Sequence, residues 1–376
     1  MRVPKRLLAS FLLAGLLSGC ADTGYYAQSV RGHMALMAAA KPVGSWLQDP
    51  AIPQATKDRL ALAQRIRDFA VHDLGLPDNP SYRRYADLQR RAAVWNVVAA
   101  PEYSLQLKTW CFPVLGCVGY RGYFDETAAR AEAQAQRAQG LEAAVYGVPA
   151  YSTLGWMNWA GGDPLLNTFL VYPEGELARL LVHELAHQRL FVRGDTAFNE
   201  SFATAVERIG GARWLERNAS DAARHEYAAF DSRRSDFRAL TQTTRQALAK
   251  VYDPQAPWAD DRAAVQERKD AAMDGLRAGY AGLRTQWGIP PGQAAPYDRW
   301  VAEANNAALG VQGAYDDLVP AFEALFARLC AAQGAGSGDC TDASRTNTWQ
   351  RFYDAVAQLA ALPPAERRAQ LNALAP

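Results

Sequence analysis

The reading of this chain turns on the stretch Leu181-Val182-His183-Glu184-Leu185-Ala186-His187-Gln188. Its histidines stand four apart, so on a helix both imidazoles project from one face, one turn above the other, with Glu184 beside them. One metal ion can bind both rings, which is the arrangement of zinc hydrolases. The chain has only five histidines, so chance rarely produces such a spacing. Leu180, Leu181, Val182, Leu185, Ala186 and Leu190 make the segment apolar nearly all round, which predicts a buried helix. Buried imidazoles and a buried carboxylate need partners, and a metal supplies one.

Catalytic zinc usually has three protein ligands and keeps a fourth position for water, so a third must come from elsewhere. Asn199-Glu200-Ser201-Phe202-Ala203 opens a second helical pattern that runs to about Ile209. Between the two, Arg193-Gly194-Asp195-Thr196 reads as a turn: Gly194 can end the first helix, and Asp195 or Thr196 can cap the second. A helix-turn-helix hairpin would bring Glu200 to the histidines. Glu207 competes, but at about 1.5 Å rise per residue it lies roughly 10 Å further from the corner. It ranks second as a ligand and is otherwise expected to orient a ligand histidine through its other ring nitrogen.

His-Glu-x-x-His followed by Asn-Glu-x-x-Ala resembles the gluzincin class of metallopeptidases, in which the later glutamate is the third zinc ligand. The spacing here is shorter than in the thermolysin-like and large aminopeptidase families, and no Gly-x-Met-x-Asn segment is present. A second resemblance covers most of the mature chain. Trp95 to Glu102 (Trp-Asn-Val-Val-Ala-Ala-Pro-Glu), Trp110-Cys111-Phe112-Pro113-Val114, Tyr120-Arg121-Gly122-Tyr123-Phe124, Tyr146 to Thr153 and Asp163 to Thr168 carry it. It is similar to the predicted aminopeptidase family of proteobacterial lipoproteins. This resemblance implies a zincin-like catalytic core, one zinc ion per chain and a peptide substrate cut as an aminopeptidase would cut it.

At the start, Arg2, Lys5 and Arg6 precede an apolar run from Leu7 to Leu17, and Leu17-Ser18-Gly19-Cys20 follows. A short basic region, an apolar stretch and small residues at a cut site make a secretory signal rather than a membrane span. Leu-Ser-Gly-Cys resembles a bacterial lipobox, which implies a signal peptide over residues 1–19 and acylation of Cys20. More than one acyl chain there would hold the protein stably to a membrane. Ala21, where an inner-membrane retention signal would be Asp, points to the outer membrane facing the periplasm.

Subtracting 19 signal residues from 376 leaves 357, enough for one large domain or two modest ones. With 49% hydrophobic residues and a formal net charge of +1, the chain has the balance of an ordinary globular protein, and nothing indicates nucleic acid. No later apolar stretch approaches a transmembrane length. In an exported protein the remaining cysteines read as disulfides between sequence neighbours, Cys111 with Cys117 and Cys330 with Cys340. A zinc site built from them is the alternative.

The expected fold class is α+β and helix-rich, with a catalytic part over residues 20–211 and a helical subdomain over 212–376. Helices are expected over Gln28 to Ala40, Ala55 to Leu74 and Thr127 to Gln139. Strands are expected over Ala92 to Ala99, Leu105 to Trp110, Val118 to Tyr120 and Ala143 to Tyr151, the last as the sheet edge that takes substrate. After Gly210-Gly211 the expected helices are Trp214 to Val251, Ala259 to Gln286, Asp298 to Ala307, Tyr315 to Ala331, Asn347 to Leu362 and Ala365 to Leu374. They wall the cleft and bring no second chemistry. His33, His72 and His225 read as ordinary histidines.

The expected mechanism is metal-assisted hydrolysis with His183, His187 and Glu200 as ligands and Glu184 as general base. Sequence leaves the oxyanion donor open among Tyr146, Tyr151, Tyr172 and Arg121. Two further functions compete with a peptidase. One is a non-catalytic envelope lipoprotein that binds a partner, and the other a zinc hydrolase acting on another amide, such as a cell-wall crosspeptide.

Overall fold

The computed structural model describes residues 23–112, 116–295, 297–332 and 345–374. Prolines and short turns divide its first part. Helix α1 covers residues 23–39, strand β1 (Lys41–Pro42) leads into α2 (Val43–Gln48), and Pro53 starts α3 (Gln54–His72). Strand β2 (Arg84–Ala86) precedes β3 (Val94–Pro101), then β4 (Trp110–Phe112), β5 (Gly116–Val118) and β6 (Arg121–Tyr123). The expected strand over Leu105 to Trp110 is open chain up to residue 109, and only Trp110 joins a ladder. Helix α4 (Glu126–Ala138) is capped by the Asp125 carboxylate, which accepts from the Ala128 amide, and β7 (Leu141–Val148) returns along β3.

Among the described residues there are three small sheets. The main one, β6-β3-β7, is antiparallel throughout, with β7 at its edge as expected. Period-two alternation gives the sheet two different faces. Val97, Ala99 and Ala143 pack under α4, whereas Val98 and Ala100 turn to the other side, where Tyr120 and Tyr146 also lie. Strands β4 and β5 form a hairpin in which Cys111 stands opposite Cys117 and the two are disulfide-bonded, as expected. Cys340, the expected partner of Cys330, lies outside the described residues, as do Cys20 and the expected signal peptide over residues 1–19. The third sheet, β1-β2-β8 with β8 at Leu165–Leu166, has strands of two or three residues, too short to carry a periodic pattern.

After the short helix α5 (Asn167–Leu170) come α6 (Glu174–Arg189) and α7 (Thr196–Asn218). The apolar residues of α6 are buried on nearly every side, as their sequence requires, and the helix lies against α3, α7 and α8 (Asp221–Val251). The break expected at Gly210-Gly211 does not occur. Helix α7 runs through both glycines because they are packing positions. A Cβ on Gly210 would come within 2.6 Å of Leu74 Cδ1, and one on Gly211 within 2.7 Å of Arg179 Cγ. The division expected at 211/212 therefore falls inside a helix, which ends instead at Ala219, before Ser220 caps α8.

Helix α9 (Arg262–Gln286) packs along α8, followed by α10 (Asp298–Glu303) and α11 (Asn306–Asp316), which replace the single helix expected over Asp298 to Ala307. The last three helices are α12 (Val319–Ala331), α13 (Arg345–Ala360) and α14 (Pro364–Leu374). Phe322, Phe326, Trp349, Phe352 and Tyr353 from this end join the core that contains α6 and α7. The chain is thus α+β and helix-rich, 63% helical with 14 helices among the described residues.

Candidate metal centre

The corner between α6 and α7 is built by short-range rules. Helix α6 stops at Leu190, whose extended backbone ends the helical run, four residues before Gly194. Gly194 itself takes φ +80° in the turn, where a side chain would be strained. Asp195 then caps α7 by accepting from the Phe198 amide at 3.1 Å. Asn199 clasps the connecting chain from both sides: its Oδ1 accepts from the Val192 amide and its Nδ2 donates to the Val192 carbonyl, each at 2.7 Å. Arg367 of α14 donates to the Asp195 carboxylate and, at 2.9 Å, to the Leu362 carbonyl, so the last helix latches the same corner. The disulfide hairpin presses on it from outside, since a Cβ on Gly116 would lie 2.9 Å from Arg193 Cγ.

Asn199 thereby sets the start of the helix that carries Glu200. Asn199→Ala removes two partly buried hydrogen bonds and orphans the Val192 amide, while the Val192 carbonyl keeps the Asp195 amide at 3.2 Å, so we expect stability to fall by about 1–3 kcal/mol in urea denaturation. Metal affinity should weaken with it. Unchanged denaturation midpoints would show that the clasp is dispensable.

This corner brings the three expected ligands together. His183 Nε2 and His187 Nε2 lie 3.1 Å apart, and Glu200 Oε2 lies 3.4 Å from the first and 3.6 Å from the second. Four donors about 2.0–2.1 Å from a tetrahedral zinc ion stand about 3.3 Å apart, so these three atoms already have the spacing of three corners of that polyhedron. Among the described residues they are the one group of this kind able to hold a metal.

Glu207 is not in the group. It accepts from His183 Nδ1 at 2.7 Å and takes the guanidinium of Arg179 on its other oxygen, as expected of an orienting carboxylate. With its Nδ1 proton given to Glu207, neutral His183 must present a lone pair at Nε2. His187 Nδ1 is buried without a hydrogen-bond partner, leaving Nε2 as the nitrogen that faces the cluster. Two imidazole lone pairs and a carboxylate oxygen that converge on one point call for a cation.

The charges agree. With the imidazoles neutral, Glu184, Glu200 and Glu207 contribute −3 and Arg179 +1, leaving −2, the complement of a divalent ion. Burial opposes a charged His183, yet Glu200 and Glu207 outweigh it and lift the imidazole well above its ordinary value. Burial pushes Glu207 toward protonation as well, but Arg179 and His183 hold its carboxyl down at about 2. Burial raises Glu184 above the usual carboxylate range, partly offset by the two histidines. The Ser152 hydroxyl reaches the same carboxylate. The donor set and its surroundings fit a divalent metal.

Two groups at the site escape sequence reasoning. Arg179, 4% exposed, stands one turn before His183, so the spacing Arg179, His183, His187 marks a single helix face that could have revealed it. Tyr120, just after the disulfide hairpin, is near enough to Glu200 and Glu184 to feel both charges. Nothing local in the sequence marks it. Of the expected oxyanion donors, Tyr146 reaches the neighbourhood of Glu200. Tyr151 bonds His33 at 3.1 Å, Arg121 lies over the ring of Tyr25 at 4.1 Å, and Tyr172 lines the cavity rim. Burial keeps the phenols of Tyr120 and Tyr146 protonated, pushing Tyr146 up to about 12, so both remain donors. His72 bonds the Asp68 carbonyl of its own helix and His225 is exposed, as expected.

Asp163 secures the loop that carries Ser152. It accepts from the Thr153 amide at 3.0 Å, the Thr153 hydroxyl at 2.7 Å and Gln188 Nε2 of α6 at 3.2 Å. Burial still dominates and pushes its carboxyl up to about 6. Because the folded value lies above the unfolded one, the native state binds the extra proton, and stability falls as pH rises from about 4 to about 6. The shift corresponds to about 2–3 kcal/mol. Asp163→Asn should flatten that part of the stability–pH curve; the same slope in both proteins would exclude Asp163 as its source.

His183 and Glu184 open onto a cavity of about 480 Å³. Arg234, Phe237 and Arg238 of α8, with Tyr297, Trp300 and Gln312, form its far wall, so the C-terminal helices do wall the cleft. Arg234 is held by both oxygens of Glu176 on α6. No curated protein and no solved structure matches the chain. The family described as "Putative aminopeptidase" matches residues 24–371, nearly the whole chain. The protein therefore belongs to that aminopeptidase family.

Proposed function

We propose that the protein is a zinc-dependent aminopeptidase of the bacterial cell envelope, held to the outer membrane by lipid on Cys20 and facing the periplasm. The observation that carries the catalytic part is the convergence of His183 Nε2, His187 Nε2 and Glu200 Oε2 beside a cavity that Glu184 also lines. The family supports a peptide substrate.

These three residues would hold the zinc. When bound there it supplies Lewis acidity, lowering the pKa of a water and polarising a carbonyl. Glu184, on the cavity side of the same helix turn, takes the proton of the attacking water and passes it to the departing amine. Glu207 fixes the His183 ring through Nδ1, and Arg179 fixes Glu207. Tyr120 and Tyr146, protonated and near enough to Glu200 to feel its charge, are the donors for the developing oxyanion. Strand β7 pairs on one side with β3, and beyond Ala143, whose carbonyl is taken by Asn305 and Arg137, its other edge can receive an extended peptide.

The test is hydrolysis of one peptide series with a free and with an acetylated amino terminus, before and after chelation and zinc readdition. The expected result is zinc-restored cleavage of the free form and little of the acetylated one. Equal cleavage of both would remove the exopeptidase assignment, and activity untouched by chelation would remove the metal.

A further inference from the structure

Seven large hydrophobic residues are exposed among those described, and five of them lie on two adjoining segments: Tyr26, Val30 and Met34 on α1, and Trp156 and Trp159 in the loop of residues 151–162, whose ends border α1. Single exposed hydrophobics need no explanation, but a cluster marks an interaction surface. Positions 26, 30 and 34 recur every four residues and form one stripe along α1. The helix, residues 23–39, contains no acidic residue and one basic one, Arg31. Exposed Arg31 is therefore the one charge on its outward side, fewer than normally solvate an exposed helix.

The loop belongs to the same surface because both its ends border α1. Tyr151 OH lies 3.1 Å from His33 Nδ1. At the other end Arg84 donates to the Met37 carbonyl at 3.1 Å and to that of Ala40, while its Nη1 would lie 2.9 Å from a Cβ on Gly161. Trp159 is 82% exposed and Trp156 65%, in a segment where Leu154 takes φ +55° and Asp163 holds the chain. Two indoles are thus held out into solvent from a braced loop.

We infer that the α1 stripe and the tip of loop 151–162 form a membrane-docking face that lies in the headgroup region of the bilayer. The occupant follows from where the described chain begins. Cys20 precedes residue 23 by three residues, a reach of about 10 Å at most. Lipid on Cys20, the anchor proposed above and on which this inference rests, would hold the start of α1 that close to the headgroups. A helix without acidic residues, carrying one arginine and a narrow apolar stripe, suits the plane of that interface, and tryptophan is the side chain most at home there, its ring apolar and its N–H wet. Docking would add a second membrane attachment to the lipid and fix the orientation of the catalytic cleft relative to the bilayer.

The experiment uses the full acylated protein in vesicles of phosphatidylethanolamine and phosphatidylglycerol whose acyl chains are brominated near the headgroups. Bromine quenching of wild type is compared with that of Trp156→Ser/Trp159→Ser. The expected result is quenching in wild type that the variant loses; equal quenching in both overturns the inference. Mass spectrometry reports acylation of Cys20 separately. If Cys20 carries no lipid, the anchor reading falls by itself, and sedimentation of the chain starting after Cys20 with the same vesicles decides this one. Val30→Asp/Met34→Asp should then lower partitioning about tenfold or more, and no partitioning of wild type overturns it. A dimer in solution that the Val30→Asp/Met34→Asp variant splits, or a raised KM for peptides in the tryptophan variant without a change in quenching, overturns it too. Those outcomes assign the face to a second copy or to substrate.

Discussion

Peptide turnover by Glu184→Gln is expected to fall by about 10³-fold or more while the protein keeps its metal. The substitution preserves size and hydrogen-bonding capacity and removes the one function required of Glu184, accepting a proton from water; general-base catalysis is typically worth about 10²–10⁴-fold. It touches none of the three atoms that converge at 3.1–3.6 Å, so metal content and affinity should match wild type. Stability should hold or rise, because burying a carboxylate costs free energy that burying an amide largely avoids. Metal content by mass spectrometry and kcat on a free peptide, measured on the same preparation, check both halves. Retained turnover would remove Glu184 from the mechanism, and lost metal would mean that the residue belongs to the ligand set.

Glu200→Ala and Glu207→Ala are expected to fail in different ways. Glu200 supplies one of three donors, so its loss should leave the site unable to hold zinc against a mild chelator. The folded metal-free protein should survive, since Glu200 closes no buried cation pair apart from the imidazoles. Glu207 only orients His183, and loss of such an orienting group typically costs about 10–100-fold in metal affinity. Its removal, however, leaves Arg179, 4% exposed, with only the half-exposed Asp231 at 3.5 Å. A buried charge stripped of its partner costs about 3–5 kcal/mol, so Glu207→Ala should be the less stable of the two by thermal or urea unfolding. Glu207→Gln, which can still accept from one neighbour, should recover part of that loss. If Glu207→Ala lost zinc outright and Glu200→Ala kept it, the two glutamates would exchange roles.

Asn199 shows how far sequence carried the site and where it stopped. As a residue type beside Glu200 it belonged to a readable pattern, and its place early in a helix was predictable from Asp195 three residues before the first cap-bonded amide. That its side chain spans the turn and clasps Val192 from both sides is a matter of how the loop is folded. Gly210 and Gly211 show the reverse case. Read locally they end a helix, because glycine lowers helix propensity by about 1 kcal/mol. Packed against Leu74, Val182 and Arg179 they allow α6 and α7 to approach closely enough for Glu200 to meet the histidines.

By itself the sequence determined what depends on short spacings. Two histidines four apart had to share one face of a helix, with Glu184 beside them, because 3.6 residues per turn brings every fourth residue back to the same side, and the apolar residues around them required burial. The α+β, helix-rich class and the local pairing of Cys111 with Cys117 were legible in the same way, whereas the choice of Asp195 over Thr196 as the cap came from the structure. Only the tertiary structure decided which carboxylate completes the cluster, that Arg179 stands behind Glu207, and that Tyr120, between β5 and β6 and 80 residues earlier in the chain, comes near enough to Glu200 to feel its charge. It also decided that the tryptophan loop lies along α1 and that the C-terminal helices close both the core and the cleft. Those contacts join residues far apart in the chain, and their partners are chosen by packing and by the cost of leaving a buried charge unpaired, quantities that no local window contains.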